Sequence, residues 1–132
     1  MHALVPLTMQ EEEVKELLTL LGLEYVVHTT FQFRNRLIVP DFFLPRHDVV
    51  IECWRSESRR GIALAWAERN ALYINLKFQR LKQVRPGVRC LGLAEFPQVD
   101  MESLRQVVGE VLPDADFMTY SMEEFGSVVR GL

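Results

Sequence analysis

The sequence has few cysteines and no long apolar run. Its two cysteines, Cys53 and Cys90, stand apart in apolar stretches, with no CxxC pair and no Cys/His cluster. This arrangement is typical of reduced, buried thiols. No apolar run approaches the roughly 20 residues that a membrane helix needs, and residues 1–10 lack the basic segment and apolar core of a signal peptide. These absences predict a cytoplasmic protein without a membrane partner.

An excess of positive charge is also lacking, since the formal net charge is −3. The charge is unevenly spread, however. Residues 55–89 contain nine basic and two acidic side chains, whereas the segments on either side are acidic. A basic middle segment is typical of a surface that faces phosphates, but equally of a solvated helix face. The candidates for nucleic-acid contacts are Arg55, Arg59, Arg60, Lys77, Arg80 and Lys82.

The rest of the composition is that of a globular protein. The 132 residues are 48% hydrophobic and 25% charged, which favours one domain with its own core over a disordered chain. There is no internal repeat and no low-complexity tract. We therefore predict a single domain over 1–132, with a core at about 8–95 and a helical C-terminal extension at about 98–132.

Periodicity and turn residues predict an alternation of helices and strands. A capping box from Thr8 to Glu11 begins a helix that Gly22 ends. The further elements predicted are strands at 25–30, 37–44 and 49–54, a helix at 56–69, a strand at 71–76, a helical turn at 78–84, a strand at 88–93, and helices at 101–112 and 121–129. The fold class is therefore α/β: a mixed sheet flanked by helices, with an N-terminal helix, a β-hairpin, a βαβ unit and C-terminal helices.

Two carboxylates form the strongest candidate site. Asp41 follows Pro40 on one predicted strand, and Glu52 lies in the apolar run of the next strand, across a short turn. Residues on paired strands can face each other, and a carboxylate within a buried strand is unfavourable unless it is paired or metal-bound. A divalent cation would remove the repulsion between the two acids, and oxygen ligands suit Mg2+ or Mn2+. The alternative is that Asp41 ends a turn and Glu52 pairs with an arginine.

The surroundings of these acids resemble a known pattern. Residues 40–45, Pro-Asp-Phe-Phe-Leu-Pro, and residues 51–54, Ile-Glu-Cys-Trp, are similar to the motif of the PD-(D/E)xK nuclease superfamily. The branch that they resemble occurs as small proteins and fused to helicases. Glu11, Gly22 and Tyr25 also have the spacing of that branch. The resemblance covers roughly residues 8–95 and not the C-terminal tail.

The resemblance implies a fold, a cofactor and a reaction. The fold would be restriction-endonuclease-like, with Mg2+ or Mn2+ held by Asp41, Glu52 and the carbonyl of Cys53. Glu11 would support them from the first helix, with the glutamates at 12–13 as alternatives, although all three also suit a helix N-terminus. The reaction would be hydrolysis of DNA phosphodiester bonds by a metal-activated water. A helicase or repair protein would be a partner.

One residue of the motif is missing. Trp54 stands where the family has a lysine, two residues after the second acid, and that lysine would stabilise developing negative charge. Arg69 is the main candidate to replace it. Arg59 and Arg60, which precede Arg69 in the chain, are also candidates, as is Lys77 at the end of the next predicted strand. An arginine cannot act as a base, but it can hold a phosphate by two hydrogen bonds.

The predicted function is therefore a metal-dependent endonuclease acting on DNA, with Asp41, Glu52, Glu11 and Arg69 at its centre. Two alternatives stay open. The absence of the lysine also suits a nuclease fold that has lost catalysis and serves as a nucleic-acid-binding or assembly subunit. The overall acidity permits a protein-interaction module. A two-fold homodimer is the default expectation for a small protein of this kind, and it would let two sites cut two strands.

Overall fold

The computed structural model describes residues 9–55, 63–95, 100–111 and 119–132. None of the helices in these ranges has the length and apolar composition needed to cross a membrane. In chain order, the elements are α1 (Met9–Leu20), β1 (Val26–Val27), β2 (Phe31–Phe33), β3 (Arg36–Ile38), β4 (Phe42–Leu44), β5 (Val49–Arg55), α2 (Ala63–Val84), β6 (Arg89–Glu95), α3 (Met101–Val111), β7 (Thr119–Tyr120) and α4 (Met122–Arg130).

The main sheet has five strands in the order β1-β4-β5-β6-β7. The pairs β1–β4 and β4–β5 are antiparallel, whereas β5–β6 and β6–β7 are parallel. A short turn is enough to join the antiparallel pair β4–β5, but parallel strands need a long crossover, which α2 supplies between β5 and β6. Strands β2 and β3 form a separate two-stranded hairpin. The expected mixed α/β class is confirmed at this level.

Helices cover the sheet on both sides, and each side has its own apolar cluster. On one side, which we call the α1/α4 face, Val14 and Leu18 of α1 and Phe125 and Val129 of α4 pack against the sheet. On the other side, the α2 face, the sheet is covered by α2, α3 and the β2–β3 hairpin. The residues that these elements contribute to its cluster are Ile74, Phe78, Leu81, Leu104, Phe31 and Ile38.

The alternation of side chains along β4 and β5 determines which residues reach each face. Phe42 and Ile51 belong to the α1/α4 cluster, and Phe43 belongs to the α2 cluster. Because side chains alternate along a strand, Asp41 and Glu52 fall on the α2 face. Phe42 is opposite Ile51 in the register, so one further step along both strands brings Asp41 opposite Glu52.

The prediction for the part of 56–84 that the structure describes is wrong. In place of a helix, a strand and a helical turn, one helix runs without a break over Ala63–Val84. Ile74, Phe78 and Leu81 are buried at helical spacing, and no glycine or proline interrupts the segment. The apolar run at 71–76 was therefore one part of a helix that is apolar on its inner side, and Lys77 lies on a helix.

The predicted strand at 37–44 is divided in two. Its beginning, β3, pairs with β2, and its end, β4, joins the main sheet. Pro40 lies between them, where its missing N–H would interrupt a ladder. The polar stretch 32–36, predicted as a turn, belongs mostly to β2 and β3, and Arg34 has the positive φ of a tight turn. The predicted strand at 25–30 is reduced to β1.

The predictions for β6, α3 and α4 are confirmed, with small changes at the ends. The Ser121 hydroxyl accepts a hydrogen bond from the N–H of Glu124 at 3.2 Å, and the Glu124 carboxylate accepts one from the N–H of Ser121 at 3.0 Å. This is the predicted capping box. Strand β7 was not predicted, because two residues show no alternation. Thr8, which would cap α1, lies outside the described residues.

Candidate active site

Asp41 and Glu52 lie side by side on the α2 face, and each is held by the main chain of the other's strand. The Asp41 carboxylate accepts a hydrogen bond from the N–H of Cys53 at 2.7 Å. The Glu52 carboxylate accepts one from the N–H of Asp41. Glu52 is almost fully buried, with 6% of its surface exposed. The predicted approach of the two acids is therefore present in the structure.

Lys77 brings a cation to this pair from α2. Its Nζ lies 2.6 Å from Glu52 Oε1 and 2.8 Å from the carbonyl oxygen of Val39. Ile74, Phe78 and Leu81 pack the same helix onto the sheet, and Lys77 lies between Ile74 and Phe78 along the helix. The lysine side chain is largely buried. Two of its three N–H donors are used by these acceptors.

Burial and mutual repulsion perturb both acids. Burial, first, and the negative charge of Asp41, second, raise the pKa of Glu52 from 4.5 to about 7, although Lys77 lowers it. Burial also raises the pKa of Asp41, against the opposing effects of the Cys53 N–H, Lys77 and His28. One ammonium therefore does not balance two buried carboxylates. With both acids ionised, Asp41, Glu52 and Lys77 together carry a net negative charge, which would attract a second cation.

The cation at the pair is not the residue that the sequence favoured. Arg69 lies about 12 Å before Lys77 along the axis of α2, at about 1.5 Å per residue, and its side chain is exposed. Its predicted phosphate contact stays a prediction. The side chain of Trp54 lies outside the described residues, as do Arg59, Arg60 and the side chain of Arg55.

The third acid of the prediction, Glu11, is half-buried in the first turn of α1. The apolar side of α1 packs on the face opposite the acid pair. Within the described ranges, no group of three or more His, Cys, Asp or Glu side chains is arranged to hold a metal. The support of the pair by Glu11 therefore stays a prediction, as does the ligand role of the Cys53 carbonyl.

The other basic candidates differ in their surroundings. Arg80 lines a groove of about 490 Å³ that Lys77 also lines, whereas Lys82 is half-buried two residues further along α2. Two residues of this groove, Arg36 and Tyr73, were missed by the sequence analysis. The signal was the helical spacing of Tyr73, Lys77 and Arg80, which becomes visible only when 63–84 is treated as one helix.

No protein-family model matches this chain, and no curated protein or solved structure is detectably similar to it. The function is therefore inferred from the site itself.

Proposed function

We propose that this protein is a metal-dependent deoxyribonuclease with a restriction-endonuclease-like fold. The observation that supports this most is the meeting of Asp41, Glu52 and Lys77 at one largely buried position. Two acids and a lysine are the residue types of the PD-(D/E)xK motif. Lys77 would take the part of the lysine that Trp54 replaces.

The residues at the pair suit a divalent cation. The carboxylates of Asp41 and Glu52 would hold Mg2+ or Mn2+, together with the carbonyl of Cys53. The N–H of Cys53 points to Asp41, and both main-chain groups of a strand residue face the same neighbouring strand, so the carbonyl is directed to that side as well. When bound, the metal would polarise a phosphate oxygen and activate a water.

The chain itself supplies orientation and charge. The N–H groups of Cys53 and Asp41 fix the two carboxylates in place, so that little reorganisation is needed when substrate binds. Lys77 is held by Glu52 and by the carbonyl of Val39. Its ammonium would donate to a phosphate oxygen on which negative charge develops, which is the kind of stabilisation that lowers a barrier most.

A fold that binds DNA without cutting it is the second candidate. Its main support was the absence of the motif lysine at Trp54. Because Lys77 brings a lysine to Glu52 from another element, that support is weaker. A purely structural role for the three residues is unfavourable, because buried ion pairs are often no more stable than apolar replacements. The second carboxylate adds repulsion that a structural pair does not need.

The test is cleavage of labelled single-stranded, duplex and branched DNA in the presence of Mg2+ or Mn2+. The native chain is compared with Asp41→Asn, Glu52→Gln and Lys77→Met. We expect metal-dependent cutting by the native chain and a loss of at least about 100-fold in each variant, as for the removal of one group that stabilises transition-state charge. Circular dichroism would establish that each variant is folded.

Three matched variants serve as controls. Asp48→Asn changes an acid of the β4–β5 turn that binds Arg85, and asparagine tolerates the positive φ at this position. Lys15→Met removes an exposed lysine of α1. Both should cut normally. Arg69→Gln separates the two candidate cations, and we expect it to cut far better than Lys77→Met. No cutting by the native chain on any substrate would contradict the proposed function.

A further inference from the structure

A groove lies between α2 and the β2–β3 hairpin, directly beside the acid pair. We call it the hairpin groove. One wall is a single side of α2, where Tyr73, Leu76, Lys77 and Arg80 follow one another at helical spacing. The other wall is built on β3. Lys77 lines the groove and also binds Glu52, so the groove leads to the candidate active site.

The walls of the hairpin groove expose large apolar groups. Tyr73 is 64% exposed, Leu37 is 63% exposed and Leu76 is 42% exposed. A flat aromatic ring and two aliphatic side chains are suited to the faces of a nucleobase, because every base offers a π-face for stacking. A small ion without an apolar surface would gain no binding energy from these side chains.

The groove also presents positive charge. Arg36 and Arg80 lie on opposite walls, and the side chain of neither makes an ion pair or a hydrogen bond with the described residues. Arg46, Arg85 and Arg105 differ, because each binds a carboxylate. No acidic residue is found among the described residues of the groove lining. Two guanidinium groups of this kind suit phosphate.

We propose that the hairpin groove binds one unpaired nucleotide next to the phosphate to be cleaved. The substrate would then be single-stranded or branched DNA rather than a continuous duplex. This rests on the proposed nuclease function and adds the substrate class. A volume of about 490 Å³ is in the range of pockets that enclose a small molecule, roughly 300–1,000 Å³. The bases of a duplex are stacked and paired, and could enter only after extrusion.

Each residue has a separate task in this arrangement. Tyr73 stacks on one face of the base, and Leu37 and Leu76 pack against its other face and the sugar. Arg36 and Arg80 hold the phosphates on either side of the nucleotide. Lys77 lies where the groove meets the acid pair, so the phosphate that leaves the groove arrives at the position where cutting is proposed.

The test measures binding of fluorescent oligothymidylate, a blunt duplex and a duplex with a single-stranded tail to the full chain, in a chelator so that nothing is cut. We expect the single strand and the tailed duplex to bind more tightly than the blunt duplex. Tyr73→Leu should weaken their binding by roughly 5- to 150-fold, whereas Tyr73→Phe, which keeps the ring, should bind as the native chain does.

The arginines are tested by salt dependence. The affinity for the single strand should fall with salt, and Arg36→Gln and Arg80→Gln should each make the slope of log K against log salt less steep by roughly 0.7. Arg130→Gln is the matched control, because Arg130 is exposed on α4 at the opposite face. It should leave both the affinity and the slope unchanged.

Equal binding of the blunt duplex and the single strand would overturn the proposal, as would native affinity in Tyr73→Leu or no binding of any DNA. These outcomes are distinguishable from a failure of the nuclease function. If the single strand binds as expected but the native chain cuts nothing with Mg2+ or Mn2+, the groove proposal holds for binding and the catalytic proposal does not.

Discussion

The α1/α4 face and the α2 face are formed by alternate residues of the same strands, yet they bury different chemistry. Phe42 and Ile51 on the first face meet an apolar cluster from α1 and α4. Glu52 lies on the second face, and the helix that covers this face contains Asn75, the other buried polar or charged residue of the described chain. The difference suggests that one face mainly stabilises the fold, whereas the other sacrifices some stability to position polar groups.

The largest effect is expected on the α1/α4 face. Phe125 is fully buried there, so Phe125→Ala should lower the free energy of unfolding by about 3–5 kcal/mol through lost burial and a residual cavity. Urea denaturation with a chelator would measure this. A change no larger than the roughly 0.5 kcal/mol of a surface substitution would contradict the assignment of stability to this face.

On the α2 face, the expected effect depends on pH. Since folding raises the pKa of Glu52 from 4.5 to about 7, the folded chain binds more protons than the unfolded chain between these pH values. The contribution of Glu52 to the free energy of unfolding is therefore fully present below this interval and falls as pH rises through it. The expected loss is roughly 3 kcal/mol, at about 1.4 kcal/mol for each unit of pKa.

The measurement is urea denaturation across this pH interval, again with a chelator, for the native chain and for Glu52→Gln. The difference between the two isolates Glu52 from the other carboxylates. We expect Glu52→Gln to lack this fall and to be the more stable chain at the upper end of the interval. A native chain whose stability rises with pH relative to Glu52→Gln would contradict the raised pKa.

The smallest effect is expected at Asn75. Both polar atoms of its buried amide lack a hydrogen-bond partner within the described structure, which is unfavourable by about 1–3 kcal/mol. Asn75→Leu, which keeps the branched shape and the number of heavy side-chain atoms, should therefore raise the free energy of unfolding by about 1–2 kcal/mol. Gln83→Leu on the exposed side of α2 is the matched control and should change little. Destabilisation by Asn75→Leu would indicate that the amide is satisfied in the folded protein.

The acid pair could be predicted from sequence because its determinants are local. Asp41 and Glu52 lie on strands joined by a short turn, and the pairing of a hairpin follows from the chain order. The burial of Glu52 followed from the apolar residues around it. Even the face that the two acids share depends only on the alternation along β4 and β5.

The cation could not be assigned in the same way. An apolar run such as 71–76 is ambiguous between a buried strand and the inner side of a helix. Because the sequence analysis predicted a strand there, it placed Lys77 at the end of a strand and not within a helix. That Lys77 rather than Arg69 meets Glu52 depends on where α2 crosses the sheet, which is a tertiary property. The hairpin groove was likewise hidden, because its walls come from separate parts of the chain.

The same helix, α2, contributes residues to the hairpin groove and the lysine that binds the acid pair. Tyr73 and Lys77 are one turn apart on it, and the helical pitch is about 5.4 Å. Under the proposed function, this fixed spacing sets the distance between the captured nucleotide and the position at which the strand is cut. Because stacking on Tyr73 would not depend on the identity of the base, this distance would be the same whatever the base sequence.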